Sequence, residues 1–250
     1  MLRPPAIAEM AVVALGANFA QITHMPLKLY ELVGTDASRP FSPFCWRTRM
    51  ALAHKGLSAE TIPWCFTEKS AIAPHGSEKV PVLLDRDRAV VDSWTIANYL
   101  EDTYPDRPSL FGGAMARMLN WWGDGVIGGM FPLIIADIPL YLKPEDATYF
   151  RKSREARFGR PLEEIMASRD NAVEGFRKSL DPLRLTLRTQ AYIGGTAANY
   201  ADYIVFGAFQ WARVVSPFKL LAEDDPVHAW RERLLDAFDG MARKSPSYHG

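Results

Sequence analysis

The sequence predicts an α+β fold in which a small sheet domain, in the order βαβαββα, is followed by a domain built only of helices. Three observations predict it. Leu27-Lys28-Leu29-Tyr30 alternates apolar and polar residues as a half-buried strand does, Val80-Pro81 opens a second apolar run that ends in a tight turn, and beyond residue 113 the apolar residues recur at helical spacing.

The elements follow in order. A polar loop of turn formers from Gly34 to Pro40 separates the first strand from a helix over residues 44–55, where Trp46, Met50 and Ala53 are helically spaced and Gly56 supplies the stop. Ser42 stands at the N-cap of that helix and Pro43 at its favoured first position. In Glu78-Lys79-Val80-Pro81-Val82-Leu83-Leu84 the proline heads a strand, the place where a strand tolerates it. A cis Val80-Pro81 bond would turn the Val80 backbone outward to pair with an extended peptide. A turn over residues 85–88 leads to the short strand Ala89-Val90-Val91, and Asp92-Ser93 starts a helix over residues 94–104.

Residues 106–113, rich in Pro and Gly, form the linker between a sheet domain over 25–105 and a helical domain over 114–250. In the latter, helices are expected over 115–124, 145–158, 162–189, 200–215 and 226–242. Asn199 and Asp202, three apart ahead of an apolar helix, read as a capping-box variant, which makes Asp202 structural. The glycines Gly123, Gly125, Gly128 and Gly129 fit either a bent helix beside space for a ligand or a loose loop.

Composition narrows the function classes. The chain has 250 residues, 48% hydrophobic and 23% charged, enough for a sizeable core in one or two domains. Lys+Arg and Asp+Glu balance at 29 each, so nothing in the charge attracts nucleic acid or an anionic membrane. Cys45 and Cys65 are too few for a disulfide framework, and the five histidines are scattered, so no metal centre is expected. Residues 6–20 are mostly apolar behind Arg3, in the outline of a signal sequence. Glu9 interrupts them and they are too short to span a bilayer, so residues 1–24 read as an extension outside the fold of a cytoplasmic protein.

The chemistry centres on Ser42-Pro43-Phe44-Cys45, which resembles the active-site motif of thioredoxin-like oxidoreductases with the first cysteine replaced by serine. The first turn of a helix carries unpaired N–H groups and the positive end of the macrodipole, so a thiolate bound there is stabilised. Ser42 fits the donor to such a thiolate, and equally a plain helix cap. Cys45 is either a thiol activated by the helix start or an ordinary buried one; with no partner cysteine at position 42, the buried reading is preferred. At the start of the later helix, the carboxylate of Asp92 beside Ser93 and free N–H groups matches the paired charges of an α-amino-acid head group.

The strand, the Ser-Pro-x-Cys helix, the Val-Pro hairpin and Asp92-Ser93-Trp94-Thr95-Ile96-Ala97-Asn98-Tyr99-Leu100 together resemble the N-terminal domain of glutathione transferases. The spacing agrees, with 38 positions from Ser42 to Val80 and 13 from Val80 to Ser93. The resemblance implies glutathione as cosubstrate, a homodimer, and roles by position. Ser42 would bond the glutathione sulfur, Val80 would pair with the cysteinyl unit, Pro81 would be the cis-proline, and Asp92 with Ser93 would hold the γ-glutamyl head. Lys79 would meet a glutathione carboxylate, or simply be solvated; Lys69 and His75 both qualify for a further contact. The electrophile would enter between the domains, against Phe44, Trp46, Trp121 and Trp122. Core burial is an equal reading for the tryptophans, and adjacent helical residues point about 100° apart, so Trp121 and Trp122 cannot both face one cleft.

Phe41-Ser42-Pro43-Phe44-Cys45-Trp46, Tyr104-Pro105-Asp106-Arg107-Pro108 and Glu223-Asp224-Asp225-Pro226 look like the bacterial β-etherase group and its fungal relatives, in which glutathione displaces an aryloxide from β-aryl ethers. Two alternatives stand beside a transferase: a noncatalytic glutathione-binding or ligand-carrying protein, and a thiol oxidoreductase that works through Cys45.

Overall fold

The computed structural model of the chain describes residues 26–112 and 116–248, so the extension over residues 1–24 lies outside the described residues. The sheet domain comprises β1 (Leu27–Leu32), α1 (Pro43–His54), β2 (Ala59–Trp64), α2 (Lys69–Ile72) with a 3-10 turn at Ala73–His75, β3 (Val82–Asp85), β4 (Arg88–Val91) and α3 (Ser93–Thr103). The strand order is β2-β1-β3-β4, with β1 parallel to β2 and antiparallel to β3. A parallel β1/β2 pair needs a crossover, and α1 provides it. This is the thioredoxin-like mixed sheet that the sequence predicts.

The helical domain comprises α4 (Ala116–Ile134), α5 (Pro144–Phe158), α6 (Leu162–Met166), α7 (Arg169–Ser179), α8 (Asp181–Leu187), α9 (Tyr200–Val215) and α10 (Pro226–Gly240). Three expectations change here. The single helix expected over 162–189 is three helices, and Pro182 explains the second break: at the start of α8 it has no N–H to return to the preceding turn. Of the two readings of the glycine segment the loose loop falls: it is part of continuous α4, and Gly128 lines the space between the domains. The last helix loses helical geometry at Ala237, where Phe238 and Asp239 turn left-handed with φ of 53° and 57°.

α9 is buried along its whole length and forms the axis of the molecule. Its start is fixed by Asp202, wholly buried, whose carboxylate accepts the N–H groups of Ile193, Gly194 and Asn199 at 2.8, 2.9 and 3.1 Å and the Trp230 indole N–H at 2.8 Å. That local carboxylate chemistry is what the Asn199/Asp202 spacing predicts. α9 lies directly on α1, where a Cβ added at Gly207 would come within 2.4 Å of the Pro43 carbonyl oxygen. α4 lies as close on the other side, with a Cβ at Gly123 falling 2.4 Å from Ile204 Cγ2.

The loop between β1 and α1 is clamped from the helical domain. The Arg39 guanidinium donates to the Val214 carbonyl at 2.6 Å and lies 4.2 Å from the Tyr141 ring centre and 5.4 Å from that of Tyr248. Tyr248 in turn donates its backbone N–H to Arg213. Among the described residues no helix is long and apolar enough to cross a membrane.

Candidate functional site

Ser42 caps α1: its hydroxyl oxygen accepts the Cys45 N–H at 3.4 Å, and Pro43 occupies the first turn. A hydroxyl holds one donor and two acceptor positions, so the cap uses a lone pair and the O–H, which the Cys45 sulfur also faces, can still rotate to donate elsewhere. The cap and the donor to an anion are therefore compatible roles for one side chain. Ser42 is 4% exposed, and that exposure opens into a cleft of about 490 Å³ between the sheet domain and the helical domain.

Lys79 and Val80 line the same cleft, as does Phe44. The Val80–Pro81 peptide bond is cis, and Val80 lies ahead of the β3 ladders, which begin at Val82. The Pro81 carbonyl accepts the backbone N–H of Asp92, so the start of α3 sits against this bend. Asp92 has φ of 78°, rare for a residue with a side chain, and this conformation turns its carboxylate back over the helix end. Its Oδ1 accepts the N–H groups of Trp94 and Thr95, both at 3.0 Å, while Oδ2 has no hydrogen-bond partner among the described residues. Ser93 is enclosed, and its carbonyl accepts the Tyr200 hydroxyl at 2.8 Å. Asp92 and Ser93 stand beyond the lining of the cleft itself.

Lys69 and His75, the two candidates for a further contact, are placed differently. Lys69 lines the cleft and donates to the Glu78 carbonyl at 2.5 Å, whereas His75 packs on the Tyr30 ring.

Three of the four aromatic residues expected at the electrophile wall lie elsewhere. Trp46 is fully buried in the core, with its indole N–H donated to the Pro40 carbonyl at 3.0 Å. Trp121 is 70% exposed, and Trp122 packs against the core without lining the cleft. The face of α4 that meets the cleft is set by Asp124, Ile127, Gly128 and Phe131, three and four residues apart. By the helical repeat Trp122 lies on the far side of that face, and Trp121 comes a turn before it. The wall is instead built by Phe66 after β2, Phe131 of α4, Tyr149, Phe150 and Phe158 of α5, and Trp211 of α9. Phe131 stacks on Phe158 with ring centres 5.4 Å apart, and Phe66 meets Phe150 at 5.8 Å. The helical repeat marks those on α4, α5 and α9 as apolar, but not as neighbours of one another or of Phe66.

Cys45 is wholly enclosed, and burial pushes its thiol up to about 12. A thiol in that state supplies no thiolate near neutrality. Among the described residues no group of three or more His, Cys, Asp or Glu is placed to hold a metal ion.

Comparison with known proteins agrees with this geometry. Residues 41–103 match the glutathione S-transferase N-terminal domain and residues 114–236 the glutathione S-transferase C-terminal domain. Glutathione S-transferase-like protein ustS of Aspergillus flavus is 24% identical over 87% of this chain and 87% of its own. Glutathione S-transferase U28 of Arabidopsis thaliana is 23% identical over 78% of this chain and 81% of its own. Among solved structures, a glutathione S-transferase of Ceriporiopsis subvermispora in complex with glutathione shares the fold, with a TM-score of 0.76, 23% identity, and coverage of 86% of this chain and 97% of that one. With the mixed sheet, the cis bend and the helical domain all in place, the chain belongs to the glutathione S-transferase superfamily.

Proposed function

We propose that the chain binds glutathione along the sheet-domain side of this cleft and transfers its sulfur to an apolar, aromatic electrophile. The observation that carries the reading is Ser42, whose oxygen caps α1 and whose hydroxyl lines the cleft, where it can turn its proton toward a bound sulfur. A cysteine-type thiol has a pKa of about 8.5, and lowering it by about two units takes about 2.7 kcal/mol. One hydrogen bond to a charged group supplies about 1.5 to 3 kcal/mol, and the N-terminus of α1 adds to it.

The rest of the cosubstrate follows from the remaining groups. Val80 offers backbone outside the sheet, Lys79 and Lys69 offer cations to a carboxylate, and the free Oδ2 of Asp92 offers an acceptor to an ammonium. The complex of the C. subvermispora structural relative with glutathione supports glutathione as the cosubstrate. The electrophile then meets the sulfur from the aromatic wall. The thiolate attacks carbon, the new C–S bond forms, and the bond to the leaving group breaks with its electron pair going to that group. A β-aryl ether, which releases an aryloxide, is one electrophile of this kind.

Of the alternatives, a Cys45-dependent oxidoreductase is disfavoured by the enclosure of that thiol, and a purely carrying protein by a donor serine that opens into a substrate-sized cleft. The deciding experiment incubates the protein with glutathione and a panel of aryl ethers, aryl halides and epoxides, and identifies conjugates by mass. Conjugates are expected, and Ser42→Ala should lower kcat at least tenfold with little change in the KM for glutathione. No conjugate from any compound would end the transferase reading, and full activity in the variant would remove Ser42 from it.

A further inference from the structure

The α5 wall of the cleft carries two arginines that no acid answers among the described residues. The Arg154 guanidinium is half-buried between aromatic rings, 4.6 Å from the Phe150 ring centre and 5.4 Å from that of Phe66. It donates to the Ser153 hydroxyl at 2.8 Å and forms no ion pair among the described residues. Arg157, one turn further, lines the same cleft, lies 5.6 Å from the Phe158 ring centre and has no carboxylate partner there either.

The contrast with the same helix is instructive. Arg151, which does not line the cleft, is saturated by Glu155 at 2.9 Å and Glu163 at 2.8 Å. The acids at the cleft are spent or distant in role: Asp124 is committed to Arg47 at 2.8 Å, and Glu78 on the sheet-domain rim forms no ion pair with either arginine. Burial holds the Arg154 guanidinium below its ordinary range, the Tyr149 hydroxyl opposing it by charge and hydrogen bond and the like charge of Arg157 adding to it. A cation partly desolvated against rings and beside another cation costs free energy until an anion joins it. The rings on either side make that place suitable for an anion carried on an aromatic body.

We propose, building on the transferase reading but with a charged group in place of its apolar electrophile, that the electrophile is an aromatic carboxylic acid. Its ring lies on Phe66, Phe150 and Phe131, and its carboxylate is bound by the planar fork of Arg154 with Arg157 as a second cation. Arginine presents parallel donors that match a carboxylate, so the pair fixes the ring's orientation as well as its charge. Specificity against neutral analogues arises because such an analogue leaves the guanidinium desolvated and unpaired.

The test uses a chloronitrobenzoate and its methyl ester with glutathione. In each, sulfur bonds to the ring carbon that carries chlorine and chloride leaves with the electron pair. After correction for each uncatalysed rate, the wild-type protein should favour the acid in kcat/KM by about tenfold or more, the scale of one charge-assisted bond. Arg154→Gln should erase most of that preference through the acid's KM rather than glutathione's, and Arg154→Lys should restore part of it. An equal loss on acid and ester, or a rise confined to the KM for glutathione, would overturn the proposal; the second result would assign Arg154 to a glutathione carboxylate. If neither compound is turned over, calorimetric titration with the S-aryl conjugates of acid and ester decides. A tenfold preference for the acid conjugate that Arg154→Gln abolishes keeps the anion site while the transferase reading falls, and equal binding overturns the anion site.

Discussion

The guanidinium of Arg47 on α1 donates to the carboxylate of Asp124 on α4 at 2.8 Å, across the junction of the two domains. The same guanidinium bonds Asn120 and the Ile204 carbonyl, so one buried cation ties α1 to both α4 and α9. Arg47 is 1% exposed and Asp124 a little over a third, which moderates the value of the pair. Asp124→Ala should cost about 2 kcal/mol by leaving the cation without its counter-charge. Adding Arg47→Met, which keeps the buried stem, should recover part of that loss; urea unfolding of both variants checks it, and strictly additive losses would show the charges to be uncoupled.

Gly207 makes a sharper claim. Its α-carbon faces the Pro43 carbonyl so closely that a methyl would sit 2.4 Å from the oxygen, and backbone cannot step aside as a side chain can. Gly207→Ala should cost about 1 to 3 kcal/mol of stability. Because Pro43 follows Ser42 directly, conjugating activity measured well below the melting point should fall too, and a variant that is destabilised but fully active would contradict the link.

Asp202→Asn tests the capping carboxylate. Asparagine replaces one acceptor oxygen by an N–H₂ group that would face the N–H donors now bound there. The loss should be about 3 kcal/mol or more, read as a lower urea midpoint with no change in the slope.

Cys45 should be chemically silent. With its thiol enclosed and pushed up to about 12, iodoacetamide at pH 8 should leave it unmodified in the folded protein and label it after unfolding. Cys45→Ala should keep at least half of the conjugating activity; loss of activity with the fold intact would revive the oxidoreductase alternative.

His54 gives a pH dependence with a definite sign. One ring nitrogen faces the Ser109 carbonyl at 3.0 Å and must be the donor, and the other accepts from the Tyr203 hydroxyl at 2.7 Å. Burial holds this imidazole below its ordinary 6.5. The unfolded chain therefore takes up a proton first, so this contribution is complete above about pH 6.5 and is lost as the pH falls from there toward the folded value. Melting temperatures from pH 7.5 to 5 should drop more steeply in the wild type than in His54→Gln, and parallel curves would refute the assignment.

Much of the sheet domain is legible in the sequence because its signals are local. Ser42-Pro43 declares a helix start, Val80-Pro81 a bend before a strand and Asp92-Ser93 a second helix start, each through the bonding of a few neighbouring atoms. Asp202 is legible for the same reason. The aromatic wall is not, since Phe66, Phe131, Phe150 and Trp211 come from four elements that meet only after folding. Trp46 shows the limit most clearly: helical spacing places it on an apolar face with Met50, but not whether that face meets the core or a cleft.

The clamp on Arg39 bears on the order in which the molecule is made. Tyr248, which stands 209 positions after Arg39, closes one side of it, and Tyr141 and Val214 close the others. A chain emerging from the ribosome completes its sheet long before those partners exist. The loop that delivers Ser42 is therefore fastened late in synthesis, and a nascent chain stopped short of Tyr248 carries that loop with one side of its clamp missing.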